Sequence, residues 1–282
     1  MKIIDLHVHS NHSDGTLRPS ELVELAYEMG LSAFALTDHD TVSGVEEAVK
    51  TAKRLEEAKP YPMLVIPGIE VSAVYKGREI HILGLNVDYK NRRFLEILEG
   101  YKKERNDRND RMVDLLAARG FDITKEKLEE AFPGAVLTRA HFARYLWDRN
   151  EVDSIAEVFD KYIGVGRPCY LPKKEINPRE AISSILLAGG HPVLAHPPQY
   201  KQKRTELEAM VRELVSYGLE GIEAIYSTYS EKEERGMRDL AKKFHLYITG
   251  GSDFHGSNKP LIQMGTGLGG LRVPFELLEK IL

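Results

Sequence analysis

The chain opens on Asp5-Leu6-His7-Val8-His9-Ser10-Asn11-His12-Ser13-Asp14-Gly15. Residues 3–9 read as a strand, where side chains alternate between faces, so Ile4, Leu6 and Val8 point one way and Asp5, His7 and His9 the other. Two imidazoles at that spacing can chelate one cation, and Asp14, on a turn that Gly15 ends, can bring a carboxylate to them. Taken alone, a His-x-His pair reads equally well as two core histidines with satisfied hydrogen bonds. Its meaning depends on what else the chain delivers to the same place.

Working outward, strand and helix alternate. A helix over 19–29 sets Leu22, Leu25, Ala26 and Met29 on one face, and a strand over 33–37 runs into Asp38-His39-Asp40. A helix over 45–58 follows, then the apolar run 63–66 leads through Pro67-Gly68-Ile69 to Glu70, and His81 lies in a short strand over 79–84. The period then changes. Residues 93–119 are helical and crowded with charge, and shorter helices are expected over 125–131, 139–149 and 154–162. The alternation resumes with a helix over 178–188 and a strand over 192–195 that carries His196 at its end. A helix over 206–217 and a strand over 221–225 come next, then a helix over 231–244. The strand 246–249 delivers Asp253 and His255, and a helix over 274–281 closes the chain.

Strands separated by helices in this way predict right-handed crossovers and a parallel sheet over 1–89 and 176–282. Residues 90–175 read as an all-helical insertion. Within it, the run Lys102-Lys103-Glu104-Arg105-Asn106-Asp107-Arg108 mixes acids and bases, as a solvated helix face does.

Composition narrows the class. A chain of 282 residues can bury a barrel-sized core and still carry a substantial insertion. Its net charge of -4, with both signs interspersed, argues against a basic surface that coats nucleic acid but leaves room for a local cationic pocket. Cys169 is the only cysteine, so neither an intramolecular disulfide nor a thiolate metal cluster can form, and a reducing compartment fits. There is no apolar run long enough to span a bilayer, and the start does not read as a signal peptide. The expectation is a cytoplasmic protein without membrane attachment or an obligate protein partner.

The polar residues now count by position. His7, His9, His39, Glu70, His81, His196, Asp253 and His255 all fall at or just beyond strand ends, with Asp14 on the first such loop. In a closed parallel barrel the strand ends open onto one mouth, so these nine converge. Six of the ten histidines together with three carboxylates are hard to produce by core packing, because each buried group without a partner costs several kcal/mol. Divalent cations are the natural partners, and nine ligands are too many for one four- to six-coordinate ion.

These segments resemble the PHP (polymerase and histidinol phosphatase) superfamily, in its branch of nucleoside 3',5'-bisphosphate phosphatases and 5'-3' exoribonucleases. The resemblance runs through 5–15, 37–40, 68–70, His81, the insertion, 189–197 and 251–256. It implies a distorted seven-stranded β/α barrel with a helical insertion and three divalent ions at the mouth, often manganese, with iron and zinc also open. By the same resemblance one ion takes His7, His9, Glu70 and Asp253, and Glu70 bridges to a second ion held by His81 and His196. Asp14, His39 and His255 hold the third, and Glu70, His196 and Asp253 are the expected catalytic residues.

A site of this kind performs metal-assisted hydrolysis, in which a water shared by two ions attacks phosphorus in line and no serine or cysteine nucleophile is needed. Thr138-Arg139-Ala140-His141 stands where the family usually has Gly-Arg-Pro-His, at positions that face the substrate phosphate, so Arg139 and His141 are candidate substrate contacts. His141 reads equally as a helix-start residue. Tyr226 follows a strand end, where a base or phosphate contact competes with a plain rim loop. Asp5 either orients a ligand ring or pairs inside the barrel. The expected reaction removes the 3'-phosphate of a nucleoside 3',5'-bisphosphate. The alternatives are stepwise hydrolysis of short single-stranded RNA from its 5' end, histidinol phosphate hydrolysis, or a non-catalytic metal-binding module. Duplex nucleic acid is not an expected substrate.

Overall fold

The computed structural model describes residues 2–57, 62–172 and 176–282. The expected helix end at Ala58 and the last three residues of the expected insertion, 173–175, lie outside the described residues. Strands β1 (Ile3–Val8), β2 (Ala33–Leu36), β3 (Leu64–Tyr75) and β4 (Arg78–Leu85) come first, with helices α1 (Pro19–Glu28) and α2 (Val45–Glu56) between the first three. Helices α3 (Arg92–Ala117), α4 (Lys125–Ala131), α5 (Arg139–Asp148) and α6 (Ile155–Val158) follow, and α6 runs on into a π turn over Phe159–Ile163. The chain then returns through α7 (Pro178–Leu187), β5 (His191–Leu194), α8 (Arg204–Ser216), β6 (Gly221–Tyr226), α9 (Glu231–Phe244) and β7 (Tyr247–Gly251). A two-residue strand β8 (Val273–Pro274) leads into a 3-10 turn over Phe275–Lys280, where an α-helix was expected.

The sheet runs in the order β7-β6-β5-β4-β3-β2-β1-β8. It is not the all-parallel sheet that the alternation predicts, because β4 is antiparallel to both neighbours and β8 to β1. The reason is local. Lys76 and Gly77 both take positive φ, at 49° and 76°, which suits the tight turn of a hairpin, so the chain folds straight back instead of crossing over. Glu70 and His81 therefore sit within long paired strands and not at strand ends.

Alternation along the strands sorts the core into two layers. Phe34, Leu36, Ile80, Ile82 and Leu194 pack with the helices, while Ala33, Ala35, Leu83, Leu85 and Val193 form the other layer with Ile66. On strand parity Glu70 shares the face of Ile66, and His81 that of Leu83 and Leu85. β1 obeys the rule only in part. Ile4 and Leu6 belong to the second layer and Val8 to the first, because the register shifts between Asp5 and Val8. This local irregularity breaks the simple alternation expected for the opening strand.

The seam between β1 and the end of β7 closes the barrel. Asp253 N–H donates to His7 O at 2.9 Å and His9 N–H to Phe254 O at 3.0 Å. Only glycine fits at Gly251, because a Cβ there would stand 2.4 Å from His7 Cβ and 2.6 Å from His7 N. Helix α3 joins two cores. Phe94 and Leu98, near its start, pack in the layer around the barrel, while Met112 and Leu116, near its end, pack with Phe142, Leu146 and Val158 of the helical segment. Its middle, including Arg105 and Arg108, lies between them. Among the described residues no helix is long and apolar enough to cross a membrane.

Candidate metal centre

Glu70 is the hub. Beyond β2 the chain stays paired with β3, since Glu70 N–H donates to Asp38 O and Asp40 N–H to Glu70 O, and this sets His39 beside Glu70. Glu70 Oε2 lies 3.3 Å from His7 Nε2, 3.2 Å from His9 Nε2 and 3.2 Å from His39 Nδ1. The other oxygen, Oε1, lies 2.9 Å from His81 Nδ1 and 3.0 Å from His196 Nε2. Asp253 Oδ1 faces His7 Nε2 and His9 Nε2 at 3.6 and 3.4 Å, and Asp14 Oδ1 faces His255 Nε2 at 3.2 Å. Asp14 Oδ2 faces His39 Nε2 at 3.7 Å.

Four overlapping groups result: His9, Asp14, His39 and His255; His7, Glu70 and His196; His7, His9 and Asp253; and His39, Glu70 and His81. Together they bring the nine residues into one place and, among the described residues, include no other. The overlap exceeds the grouping implied by resemblance, because His39 reaches Glu70 as well as Asp14, and His9 enters the Asp14 group through Nδ1 at 3.7 Å.

The donor atoms fit divalent ions. His7 Nε2, His9 Nε2, His39 Nδ1 and Asp14 Oδ1 are buried without a hydrogen-bond partner. A cation held about 2.1 Å from each ligand puts neighbouring ligand atoms about 3.0–3.4 Å apart, close to the contacts seen here. Protonation cannot stand in for the ions throughout. Ring centroids are only 4.1 Å apart for His9 and His255 and 4.7 Å for His9 and His39, so the imidazoles oppose one another's charge. Burial tends to raise the Glu70 carboxyl, but His39, His81 and His7 hold it well below the usual range. For His39 and His255 burial comes first among the causes that push them down, whereas nearby carboxylates overcome burial to lift His9 and His81 to about 9.

Further side chains fix the ligands, and sequence reasoning missed most of them. Glu223, fully buried on β6, accepts from His7 Nδ1 at 3.0 Å and from His196 N–H at 2.8 Å. Its only signal in the sequence is one acid inside an otherwise apolar strand. His255 Nδ1 donates to Asp253 O at 2.9 Å, which leaves Nε2 for Asp14. Asp253 Oδ2 accepts from Tyr226 OH at 2.6 Å and Lys259 Nζ at 2.5 Å. Asp38 shapes the first loop by accepting from Ser10 N–H, Ser10 Oγ and Ser13 Oγ. His196 and Asp253 both adopt positive φ, at 30° and 57°, a strained backbone for residues with side chains.

Asp5 does not orient a ligand ring. Its carboxylate accepts from Ser252 N–H, Ser252 Oγ, Gly265 N–H and His7 N–H, so it ties β1 to the segment that follows β7. Tyr226 is a buried contact of Asp253, and Gln199 Nε2 donates to its hydroxyl at 2.7 Å. His141 is buried at the start of α5, where Nδ1 accepts from Thr138 N–H at 2.9 Å and the ring meets Phe132 edge-on. It borders a separate small cavity with Asn11 and Arg144, and not the one in front of the nine clustered residues.

That front cavity, of about 310 Å³, is lined by Asp14, His39, His81 and His196 of the cluster and by Arg105, Arg108 and Arg139. The run from 102 to 108 is thus not simply a solvated face. Arg105 and Arg108 are 4 % and 5 % exposed, and the first pairs with Asp40. Burial, then each guanidinium's positive neighbours, pulls Arg105 down to about 9 and Arg108 to about 10. Arg139 Nη2 donates to Glu79 Oε2 at 2.8 Å, and Glu79 Oε1 stands 3.7 Å from His81 Nε2.

A barrel that gathers imidazoles and carboxylates around a cavity that three arginines also line defines a metal-dependent hydrolase of phosphate esters. The family model described as PHP domain matches residues 5–167, and the chain belongs to that family. It is 34 % identical over 266 residues to the 5'-3' exoribonuclease Rnm of Escherichia coli, covering 94 % of this chain and 89 % of that protein. It is 33 % identical over 263 residues to the 3',5'-nucleoside bisphosphate phosphatase of Chromobacterium violaceum, covering 90 % and 88 %. A solved structure from Bifidobacterium adolescentis, described as a metal-dependent phosphoesterase, superposes with a TM-score of 0.87 at 26 % identity, covering 100 % of this chain and 96 % of that one. The protein is a metal-dependent phosphoesterase of the PHP family.

Proposed function

We propose that the protein removes the 3'-phosphate of nucleoside 3',5'-bisphosphates, with three divalent ions, most suitably manganese, held by the nine clustered residues. The observation that carries this reading is one cavity lined both by four of the clustered residues, Asp14, His39, His81 and His196, and by the arginine Arg139, which suits a substrate bearing two phosphates. The likeness to the Chromobacterium violaceum phosphatase supports it. Ions bound there supply charge neutralisation at phosphorus and an acidified water.

The chain's own residues supply position. Glu223 keeps the His7 Nδ1 proton, so that Nε2 presents its lone pair to the site. Tyr226 and Lys259 occupy Oδ2 of Asp253 and leave Oδ1 turned toward His7 and His9. Glu70 serves imidazoles through both oxygens, as a bridging carboxylate must. Arg139 offers a guanidinium fork to the phosphate that is not cleaved. His141, whose Nδ1 accepts from Thr138 N–H, positions the Thr138–Arg139 turn. Residues 90–175, taken as an insertion over the barrel formed by 1–89 and 176–282, narrow the mouth so that duplexes are excluded.

The second reading, removal of nucleotides from the 5' end of short single-stranded RNA, is favoured by the likeness to the Escherichia coli exoribonuclease. Both reactions break a bond at a 3' oxygen. Turnover of adenosine 3',5'-bisphosphate beside a 5'-phosphorylated RNA oligomer, with manganese added, separates them. Higher kcat/KM for the bisphosphate supports the first reading, faster release of mononucleotides from RNA supports the second, and turnover of neither overturns both.

A further inference from the structure

Val158 and Ile163 are both buried in the core of the helical segment, although they stand five residues apart. In an α-helix the neighbours on one face are three or four residues apart, so that spacing does not keep two side chains together. The π turn over Phe159–Ile163 does, because it closes i to i+5, with Gly164 N–H donating to Phe159 O at 2.9 Å. The closure requires glycine, since a Cβ at Gly164 would stand 2.3 Å from that oxygen. Phe159, where the helix widens, is left half-buried. It packs against the helical core and also lines the front cavity.

That cavity is otherwise polar. Among the described residues that line it, Ala140 and Phe159 alone have no polar side-chain group. They come from α5 and from the turn that α6 runs into, and α5 and α6 lie against one another. Tyr200, another ring there, is 8 % exposed, and its hydroxyl is fixed between Ala195 O and His81 N–H. Tyr226 is buried on Asp253. A half-buried phenyl ring in a charged cavity keeps apolar surface in water until a ligand covers it.

We propose that Phe159 is the platform on which the nucleobase of the substrate stacks, so that the protein binds nucleotides in preference to plain sugar phosphates. The proposal rests on the reading of a nucleotide substrate given above and adds the residue that takes its base. The large apolar surfaces of such a substrate are the two faces of the base, while the rest of it is charged or hydroxylated. Stacking asks for a ring face and not for particular donors, which suits a side chain that has none. Nothing in the sequence marks this role, because Phe159 reads there as one more apolar residue of a short helix.

The test uses the full chain with its metals. Calorimetry measures the binding of adenosine 5'-monophosphate and of ribose 5-phosphate, which share the phosphorylated sugar and differ by the base, to wild type, Phe159→Leu and Phe159→Trp. Thermal melting and metal content are recorded for each, because Phe159 also packs against the helical core. Wild type is expected to hold the nucleotide about five- to a hundredfold tighter than the sugar phosphate. Phe159→Leu, which keeps apolar bulk and loses the ring, should lose most of that ratio, and Phe159→Trp should keep it. Equal binding of the two ligands by wild type, binding of neither, or an unchanged ratio in a folded Phe159→Leu overturns the assignment.

Turnover is read separately. A wild type that hydrolyses neither a nucleoside 3',5'-bisphosphate nor RNA overturns the proposed reaction, while the calorimetry still decides whether Phe159 holds a base. A wild type that turns over adenosine 3',5'-bisphosphate and yet binds both ligands equally leaves the reaction standing and removes Phe159 from it.

Discussion

Glu223 Oε1 lies 3.0 Å from His7 Nδ1, and neither side chain is reached by solvent. The other Glu223 oxygen accepts from His196 N–H, so one carboxylate holds His7 of β1 and His196, just beyond β5, together. Glutamine at this position has one acceptor oxygen for two donors and must lose one contact. Glu223→Gln is therefore expected to weaken metal binding about ten- to a hundredfold while the protein still folds. Metal titration followed by circular dichroism checks both halves, and unaltered affinity would remove Glu223 from the site.

Glu70 touches five imidazoles, three through Oε2 and two through Oε1. Glu70→Gln should strip more than one ion per chain at once, because a bridging carboxylate serves more than one. Elemental analysis before and after the substitution gives the answer. Loss of a single ion would show that Glu70 does not bridge.

Gly251 backs directly onto His7, with no room for a methyl group. Gly251→Ala has to part the seam between β7 and β1, at an overpacking cost of about 3 kcal/mol. In a chain of this size that is a fall of about 5–10 °C in Tm. Metal content should drop with it, since the seam carries His7 and Asp253 on its two sides. A stable variant with full metal content would mean that the seam yields freely.

Arg139 pairs with Glu79 at the cavity, and Glu79 in turn stands near His81. Arg139→Ala is expected to lower the ratio of kcat/KM for the 3',5'-bisphosphate over the 3'-monophosphate by about ten- to a hundredfold. If both substrates slow by the same factor, Arg139 acts on the scissile group or on the fold.

Burial, with smaller effects from the charges around it, brings His141 down to about 4, well under its ordinary value of about 6.5. Unfolded chains take up a proton there as pH falls through 6.5 while the folded protein does not. The neutral His141 thus contributes stability fully above about pH 6.5 and loses it as pH falls toward 4, by about 2 kcal/mol at pH 5. His141→Gln removes the titration and keeps a residue that can reach back to the Thr138 N–H as in a capping box. Melting curves from pH 8 to 5 should fall less steeply for the variant than for wild type. Parallel curves would mean that His141 takes its proton as readily folded as unfolded.

The sequence by itself determined which residues meet at the centre, since each of the nine sits at or beside a strand that local periodicity already marks. A ligand's side chain need only face the right way along its own strand, and that is a short-range property. Only the tertiary structure decided the rest. Whether Arg105 and Arg108 face water or a cavity depends on the barrel lying against that turn of α3, and the same residues would read as solvent-facing on an isolated helix. Glu223 is one acid in an apolar strand until β1 and β5 bring His7 and His196 to its two oxygens. The reversal at Lys76 and Gly77 was within reach, because a tight turn between two β-rich runs is a local signal that the regular alternation of strands and helices obscured. Gly251 could not be read in advance. Its need for a missing side chain comes from a strand hundreds of residues earlier in the chain, and contacts between residues so distant in sequence leave no pattern in either segment alone.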